Sequence, residues 1–314
     1  MSGNASESGG SREYDAVLVP TDGSECAVAG ARHGLRLARG FDATVHAVHV
    51  ADSGTGLPGL DAARTTAGAN RRRPAGEEIV DGVARLGDSL GVDVTTELVE
   101  GTPSEVLREY VTGNDIDFVA MGTRGRSNIE RHLLGSITER LVRTAPVPVM
   151  TVRTETDHTA VEEQGYTDIL LPTRGGDGSE LAVDHAVSIA ARFDATLHVI
   201  YVVDARSQAA KHETYELGEL VNELRAAVTD EVVARADEAG VDSRAVVLQG
   251  TPHSAIRRYV DESGIDLIVM GTHGRGRVEK FLLGSIAERT VRTADVPVVT
   301  VRLSEWFDAD GGGT

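Results

Sequence analysis

The sequence predicts an α/β protein of two tandem domains, each a five-stranded parallel sheet with helices on both faces. Three observations carry this. Short apolar runs closed by turn residues alternate with segments of helical spacing, the pattern of strands joined by crossover helices. The second half of the chain restates the first. Gly101-Thr102-Pro103, Met121-Gly122-Thr123, Leu133-Leu134-Gly135-Ser136-Ile137 and Val147-Pro148-Val149 return 149 residues later, and Pro20 and Phe41-Asp42-Ala43-Thr44 return 152 residues later. A period of that size marks duplicated domains, since solenoid repeats run to about 20–50 residues. Finally, 314 residues with 40% apolar and 25% charged composition suffice for two cores at roughly 100–200 residues per domain.

The elements follow in order. Ala16 to Pro20 is a short apolar run ended by a turn signal, hence a buried strand. Ala27 to Ala38 is a helix with Ala31, Leu35 and Ala38 on one face, and Thr44 to Val50 is the second strand. Ser53 to Gly76, rich in Gly and Ala and without a helical period, reads as a mobile loop. Its Arg71-Arg72-Arg73 reads as a solvated basic spot, the alternative being a strap over a bound anion. Glu77 to Leu90 is a helix through Ile79, Val80, Val83 and Leu86, stopped by Gly91. Val92 to Val99 is the third strand. Pro103 to Thr112 is a helix, with Thr102 as cap and Pro103 at the first helical position. Phe118 to Met121 is the fourth strand, Ile129 to Thr144 a helix, and Val147 to Val152 the fifth strand. The domains are expected at 13–153 and 165–303, joined by a polar linker at 154–164, with loose tails at 1–12 and 304–314.

Composition excludes several classes. A single cysteine, Cys26, allows neither an intrachain disulfide nor a cysteine zinc cluster. No apolar run approaches the ~18–20 residues needed to span a bilayer, and Met1 to Ser11 lacks the apolar stretch of a secretory signal. The expectation is a soluble, cytoplasmic protein. With 49 Asp and Glu against 31 Lys and Arg, the formal charge is −18, which argues against nucleic acid and anionic membrane as partners. Lysine occurs only at Lys211 and Lys280. An acid excess with so little lysine resembles proteins of salt-loving archaea, in which molar salt screens the self-repulsion within ~3 Å.

The stretch after the fourth strand carries the chemistry. Gly122-Thr123-Arg124-Gly125 is followed by nine residues and then Gly135-Ser136, and Gly271-Thr272-His273-Gly274 by nine residues and then Gly284-Ser285. Gly122 and Gly125 are expected to turn the chain with positive φ and present main-chain N–H groups to a phosphate. Gly135 and Ser136 come around a helix start, where orphan N–H groups and the dipole favour an anion. Ser136 adds a hydroxyl, and Arg126 and Arg275 add charge. One such loop would serve a tight turn alone; its duplication with the same gap points to a ligand.

Other patterns lead nowhere. Gly54-x-Gly56-x-x-Gly59 lacks a following helix, so the dinucleotide fingerprint fails, and no P-loop sequence is present. Ser24, Ser136 and Ser285 lack the strained elbow of a nucleophile. His46 and His49, three apart on a strand, face opposite sides and form no metal site. His33 and His185 read as packed or capped histidines, Cys26 as a small, partly buried thiol. No catalytic residue and no metal cluster is expected.

On the glycine stretch and on the opening Val19-Pro20-Thr21-Asp22-Gly23-Ser24, the chain resembles the universal stress protein family, as a tandem two-domain member. The resemblance implies a Rossmann-like domain of the adenine nucleotide alpha hydrolase type, ATP binding, and pairing of the two halves through their last strands. A further homodimer stays open. It places Pro20 and Thr21 beside adenine, Asp22 near ribose or a magnesium ion, and the Val50 main chain on the adenine edge. Gly122, Gly125, Gly135 and Ser136 match the phosphate loop, with Met121 and Arg126 as further candidates for contact with the nucleotide. In the second copy the matching set is Thr173, Val202, Gly271, Gly274, Arg275, Gly284 and Ser285. There Arg174 stands where the first copy has Asp22. That leaves three outcomes: Arg174 grips phosphate, the nucleotide choice changes, or the site stays empty. The first copy is expected to be the better ATP site. The expected function is nucleotide-dependent regulation or protection under stress without efficient catalysis. The alternatives are a slow ATPase or phosphoryl-transfer enzyme, and an interaction module that binds no nucleotide.

Overall fold

The computed structural model describes residues 12–52, 65–125, 134–154, 165–175, 180–204, 228–272 and 283–302, with 65–72 described through the backbone alone. The first half runs β1 (Ala16–Pro20), α1 (Glu25–Phe41), β2 (Thr44–Asp52), α2 (Thr65–Leu90), β3 (Val94–Gly101), α3 (Pro103–Gly113), β4 (Phe118–Gly122), α4 (Ser136–Thr144) and β5 (Val149–Val152). The second runs β6 (Asp168–Pro172), α5 (Glu180–Phe193), β7 (Thr196–Val203), α6 (228–238), β8 (Ser243–Gln249), α7 (Pro252–Ser263), β9 (Leu267–Gly271), α8 (Ser285–Thr293) and β10 (Val298–Val301).

The strands form one ten-stranded sheet in the order β3-β2-β1-β4-β5-β10-β9-β6-β7-β8. Pairing is parallel within each half, and the halves join where β5 and β10 run antiparallel, Val298 opposite Thr151. One apolar core gathers α1, α2, α5 and α6 on one face of the sheet; a second gathers α3, α4, α7 and α8 on the other. Central strands covered on both faces must be apolar throughout, and Val17, Leu18 and Val19 of β1 are fully buried.

Close packing in the first core depends on small residues. Ser24 caps α1 by accepting from the Ala27 N–H, and Asp42 ends it in the left-handed region at φ 59. A Cβ on Gly30 would lie 2.5 Å from the Met121 carbonyl carbon, and one on Gly34 2.8 Å from the Ala120 Cβ. Helix α1 therefore lies almost on β4, closer than alanine would permit.

The joint between the halves is reciprocal. Tyr14 and Tyr166 are 152 apart, as are His33 and His185. The Tyr14 hydroxyl lies 2.6 Å from His185 Nδ1, and the Tyr166 hydroxyl 2.9 Å from His33 Nδ1. All four side chains are buried. Both histidines are thus packed, as the sequence suggested. Along the strand pair the Thr151 hydroxyl donates to the Val298 carbonyl and the Thr300 hydroxyl to the Val149 carbonyl. On the other face Arg153 donates to the Ala294 carbonyl at the end of α8, and Arg302 to the Ala145 carbonyl at the end of α4. Each arginine thereby satisfies a terminal carbonyl of the opposite half's helix.

Several sequence expectations need correction. The loop read over Ser53 to Gly76 is helical from Thr65 onward, and α2 runs through Pro74. Gly76 is no loop residue: a Cβ there would meet Leu98 Cδ1 at 2.5 Å, so the glycine lets α2 cross β2 and β3 at close range. Residues 53–64 lie outside the described set. The helix read from Ile129 begins at Ser136 instead, with Gly135 as its N-cap; 126–133 are outside the described residues. Thr102 sits at the N-cap of α3 but makes no side-chain cap bond. Arg12, assigned to a loose tail, donates its N–H to the Ser188 hydroxyl and lies 3.8 Å from Asp184.

Candidate functional site

In each half the strand order reverses between the first strand, whose chain leaves toward β2 or β7, and its neighbour β4 or β9. A crevice opens there beyond the carboxyl ends of the strands. In the first half it is a cavity of about 530 Å³; in the second, about 190 Å³.

The first cavity is built by where β1 stops. Pro20 ends the strand and the Thr21 N–H donates to the Val48 carbonyl at 2.9 Å. Main-chain groups two residues apart on a strand point the same way. Val50, two beyond Val48, therefore turns its N–H and C=O toward the gap that β1 has vacated. The same holds for Val202, because the Thr173 N–H donates to the Ile200 carbonyl at 2.9 Å. Gly23, at φ 73, carries the chain away, its N–H on the Thr21 hydroxyl at 3.2 Å. Asp22 Oδ1 accepts from the Ser24 N–H at 3.0 Å. His49 donates from Nδ1 to the Thr21 carbonyl at 2.7 Å, which fixes the proton on that nitrogen because a carbonyl only accepts.

The opposite wall is the start of α4. Gly135 carries no side chain to cap the helix, and the first intrahelical bond runs from the Glu139 N–H to the Gly135 carbonyl. The N–H groups of Ser136, Ile137 and Thr138 precede that bond, so the helix itself supplies them no acceptor, and all three residues line the cavity. In the second half Gly284 caps α8, and Ser285, Ile286 and Ala287 line the smaller cavity.

Pro20, Thr21, Asp22, Val50, Met121, Gly122, Gly125, Gly135 and Ser136 all line the first cavity. Thr173, Val202, Gly271, Gly284 and Ser285 line the second. Arg126, Gly274 and Arg275 lie outside the described residues.

The reasons for the glycines differ from those expected. Neither Gly122 nor Gly125 has φ in the left-handed region. Gly122 is needed for packing, since a Cβ there would lie 2.5 Å from the Cys26 carbonyl oxygen of α1. At Gly125 a Cβ would meet Asp22 Oδ2 at 2.7 Å, so the carboxylate overhangs this glycine. The Gly135 N–H is used internally, donating to the Thr123 carbonyl at 2.8 Å, as Gly284 does to Thr272. A Cβ would lie 3.3 Å from that carbonyl at Gly135 and 2.8 Å at Gly284. The open amides are those of the next three residues.

Sequence reasoning missed His49, Pro103, Leu107 and Arg292 in the first cavity. Arg292 belongs to α8 of the other half and arrives only through the β5–β10 joint, so no local signal marks it. It pairs with Glu288 at 2.8 Å, as Arg143 pairs with Glu139 at 2.8 Å.

A model described as the universal stress protein family matches residues 13–153 and again 165–302. The chain belongs to this family. A universal stress protein of Methanocaldococcus jannaschii, MJ0531, is 33% identical over 146 residues, 46% of this chain and 85% of that protein. Universal stress protein Mb2028c of Mycobacterium bovis is 27% identical over 237 residues, 73% of this chain and 77% of its own. The crystal structure of a universal stress protein from Archaeoglobus fulgidus superposes with a TM-score of 0.68 at 24% identity, covering 91% of this chain and 98% of that one. That likeness supports the fold of two universal stress domains in one molecule. No described helix is long and apolar enough to cross a membrane.

Proposed function

We propose that this universal stress protein binds an adenine nucleotide, ATP in its first half, and acts through the surface that binding orders rather than by efficient catalysis. The observation that carries the reading is the first cavity. Its volume of about 530 Å³ falls within the roughly 300–1,000 Å³ usual for small-molecule sites. At one end the Val50 main chain offers a donor and an acceptor beside apolar Pro20, Leu107 and Met121, which suits a flat base. At the other, the amides and dipole of α4 suit a phosphate tail. The residues present therefore fit ATP.

Among the described lining residues, Asp22 Oδ1 accepts from the Ser24 amide, His49 Nδ1 donates to the Thr21 carbonyl, and Glu139 pairs with the Arg143 guanidinium. The −18 charge supports a salt-rich working milieu, in which case the melting temperature rises with KCl concentration.

The test is a melting series with ATP, ADP and AMP, alongside hydrolysis measured on the same samples. ATP at about a hundred times its Kd is expected to stabilise the chain by roughly 2.7 kcal/mol. Gly125→Val, which fills the space beside Asp22, is expected to abolish most of that shift. Absence of any shift in the parent protein would leave the interaction module as the better reading; rapid hydrolysis would leave the enzyme.

A further inference from the structure

We propose that Arg292 of the second half is a phosphate-binding residue of the first half's site, so that both halves hold the nucleotide's anionic tail at once. The proposal rests on the nucleotide reading above. It adds the residue through which the second half enters that site.

A run of hydrogen bonds fixes where Arg292 stands. The Gly135 N–H at the start of α4 donates to the Thr123 carbonyl, and the Thr123 N–H donates to the Val152 carbonyl at the end of β5, both at 2.8 Å. Arg153, the next residue, donates to the carbonyl of Ala294, the C-cap of α8, at 3.4 Å. The last turn of α8 therefore lies at the carboxyl end of the first half's sheet, the end at which such sheets bind ligands. Arg292 belongs to that turn and lines the first cavity together with Ser136, Ile137, Thr138 and Glu139. It stands on the side of the α4 amides, where the phosphate tail lies, and not beside the base.

The guanidinium has donors to offer. It carries five N–H groups in a planar fork. Glu288 engages Nη2 at 2.8 Å. The Nε is buried and has no hydrogen-bond partner among the described residues, and a bare buried donor is costly. Phosphate oxygens match the fork and form charge-assisted bonds with it. The tail need not displace Glu288, since one carboxylate does not occupy five donors. The pair with Glu288 also holds the guanidinium in place, so less side-chain freedom is lost on binding.

The arrangement is one-sided. Arg143 is the counterpart of Arg292 in α4, with the same pair to Glu139 at 2.8 Å and the same bare Nε. It is absent from the described lining of the second cavity, which holds about 190 Å³ against about 530 Å³ in the first. The bare nitrogen is common to both halves, and a place on a ligand-sized cavity is what distinguishes Arg292. A tail bound there bridges the start of α4 and the end of α8 across the β5–β10 joint.

Isothermal titration of the full chain with ATP, ADP and AMP tests this, the first half's event being the one that Gly125→Val removes. Arg292→Ala is expected to weaken that event at least tenfold for ATP and less than threefold for AMP, with ADP between, because the lost charge faces the tail and not the base. Arg292→Gln keeps an unbranched polar side chain, is expected to follow alanine, and carries the test if Arg292→Ala does not fold. Arg292→Lys keeps the charge without the fork and is expected to recover part of the loss. Arg289→Ala removes an exposed charge from the same helix outside the cavity lining and is expected to change affinity less than twofold. Equal losses for ATP and AMP in the Arg292 variants would mark a merely structural role and overturn the proposal, as would full ATP affinity in Arg292→Gln. If none of the three probes binds the parent protein, the nucleotide reading itself fails and the proposal with it.

Discussion

Gly122→Ala is expected to lower the melting temperature by roughly 6–12 °C, corresponding to about 3 kcal/mol for a domain of ordinary size. The added methyl would sit 2.5 Å from the Cys26 carbonyl oxygen and 2.6 Å from its carbon. Both are main-chain atoms inside the first turn of α1, so relief requires the helix to move. It cannot move freely, because Gly30 and Gly34 set the same helix against Met121, Ala120 and Val19. Gly125→Ala makes the informative comparison. Its methyl would meet only the end of the Asp22 side chain, which can swing aside, so its cost is expected below about 1 kcal/mol. Chemical denaturation of the two variants side by side separates them. Equal costs would mean that α1 does not approach β4 as described.

The joint between the halves is expected to weaken in mild acid. His185 is 3% exposed, and burial first, with Arg12 adding to it, pushes its pKa from 6.5 down to about 3. The unfolded chain takes up this proton near pH 6.5, whereas the native chain does so only near pH 3. Stability is therefore whole above pH 6.5 and falls as pH drops toward 3, at about 1.4 kcal/mol per unit. Asp266 works in the opposite direction. Burial raises its carboxyl from 3.8 to about 6 despite bonds from Thr167 and Asp168. Its stabilisation is whole below 3.8 and is lost as pH rises through 6. Comparison with the double variant Tyr14→Phe/His185→Leu cancels the Asp266 contribution. It also removes both ends of the 2.6 Å contact together. Between pH 6.5 and 5 the parent protein is expected to lose about 2 kcal/mol more than the variant in urea titrations. Parallel pH profiles would show that His185 is not buried neutral.

Much of the fold is legible because duplication repeats each signal. Asp42 and Asp194, in copies of one tetrapeptide, both adopt left-handed φ, at 59 and 53. The start of α2 was illegible for a local reason: Gly68, Gly76 and Pro74 carry the composition of a loop, and only the packing of Gly76 on Leu98 shows why a helix tolerates it. The glycine stretch lies on the first cavity, but Gly122 packs against α1 and the Gly135 N–H is used inside the loop. A sequence does not distinguish a glycine that admits a ligand from one that admits a neighbouring helix or closes a loop. Arg292 was beyond reach altogether, because its place on the first cavity depends on β5 meeting β10.

That meeting of β5 and β10 within one polypeptide sets the stoichiometry. Two separate identical subunits would carry the same residue at both dyad-related positions, acid with acid or base with base. Fusion lets Asp22 and Arg174 stand as unlike residues at the two matching positions in every molecule, always one to one. Since each half is tethered to the other, its effective concentration stays high however few copies a cell holds, and dilution does not separate the two halves.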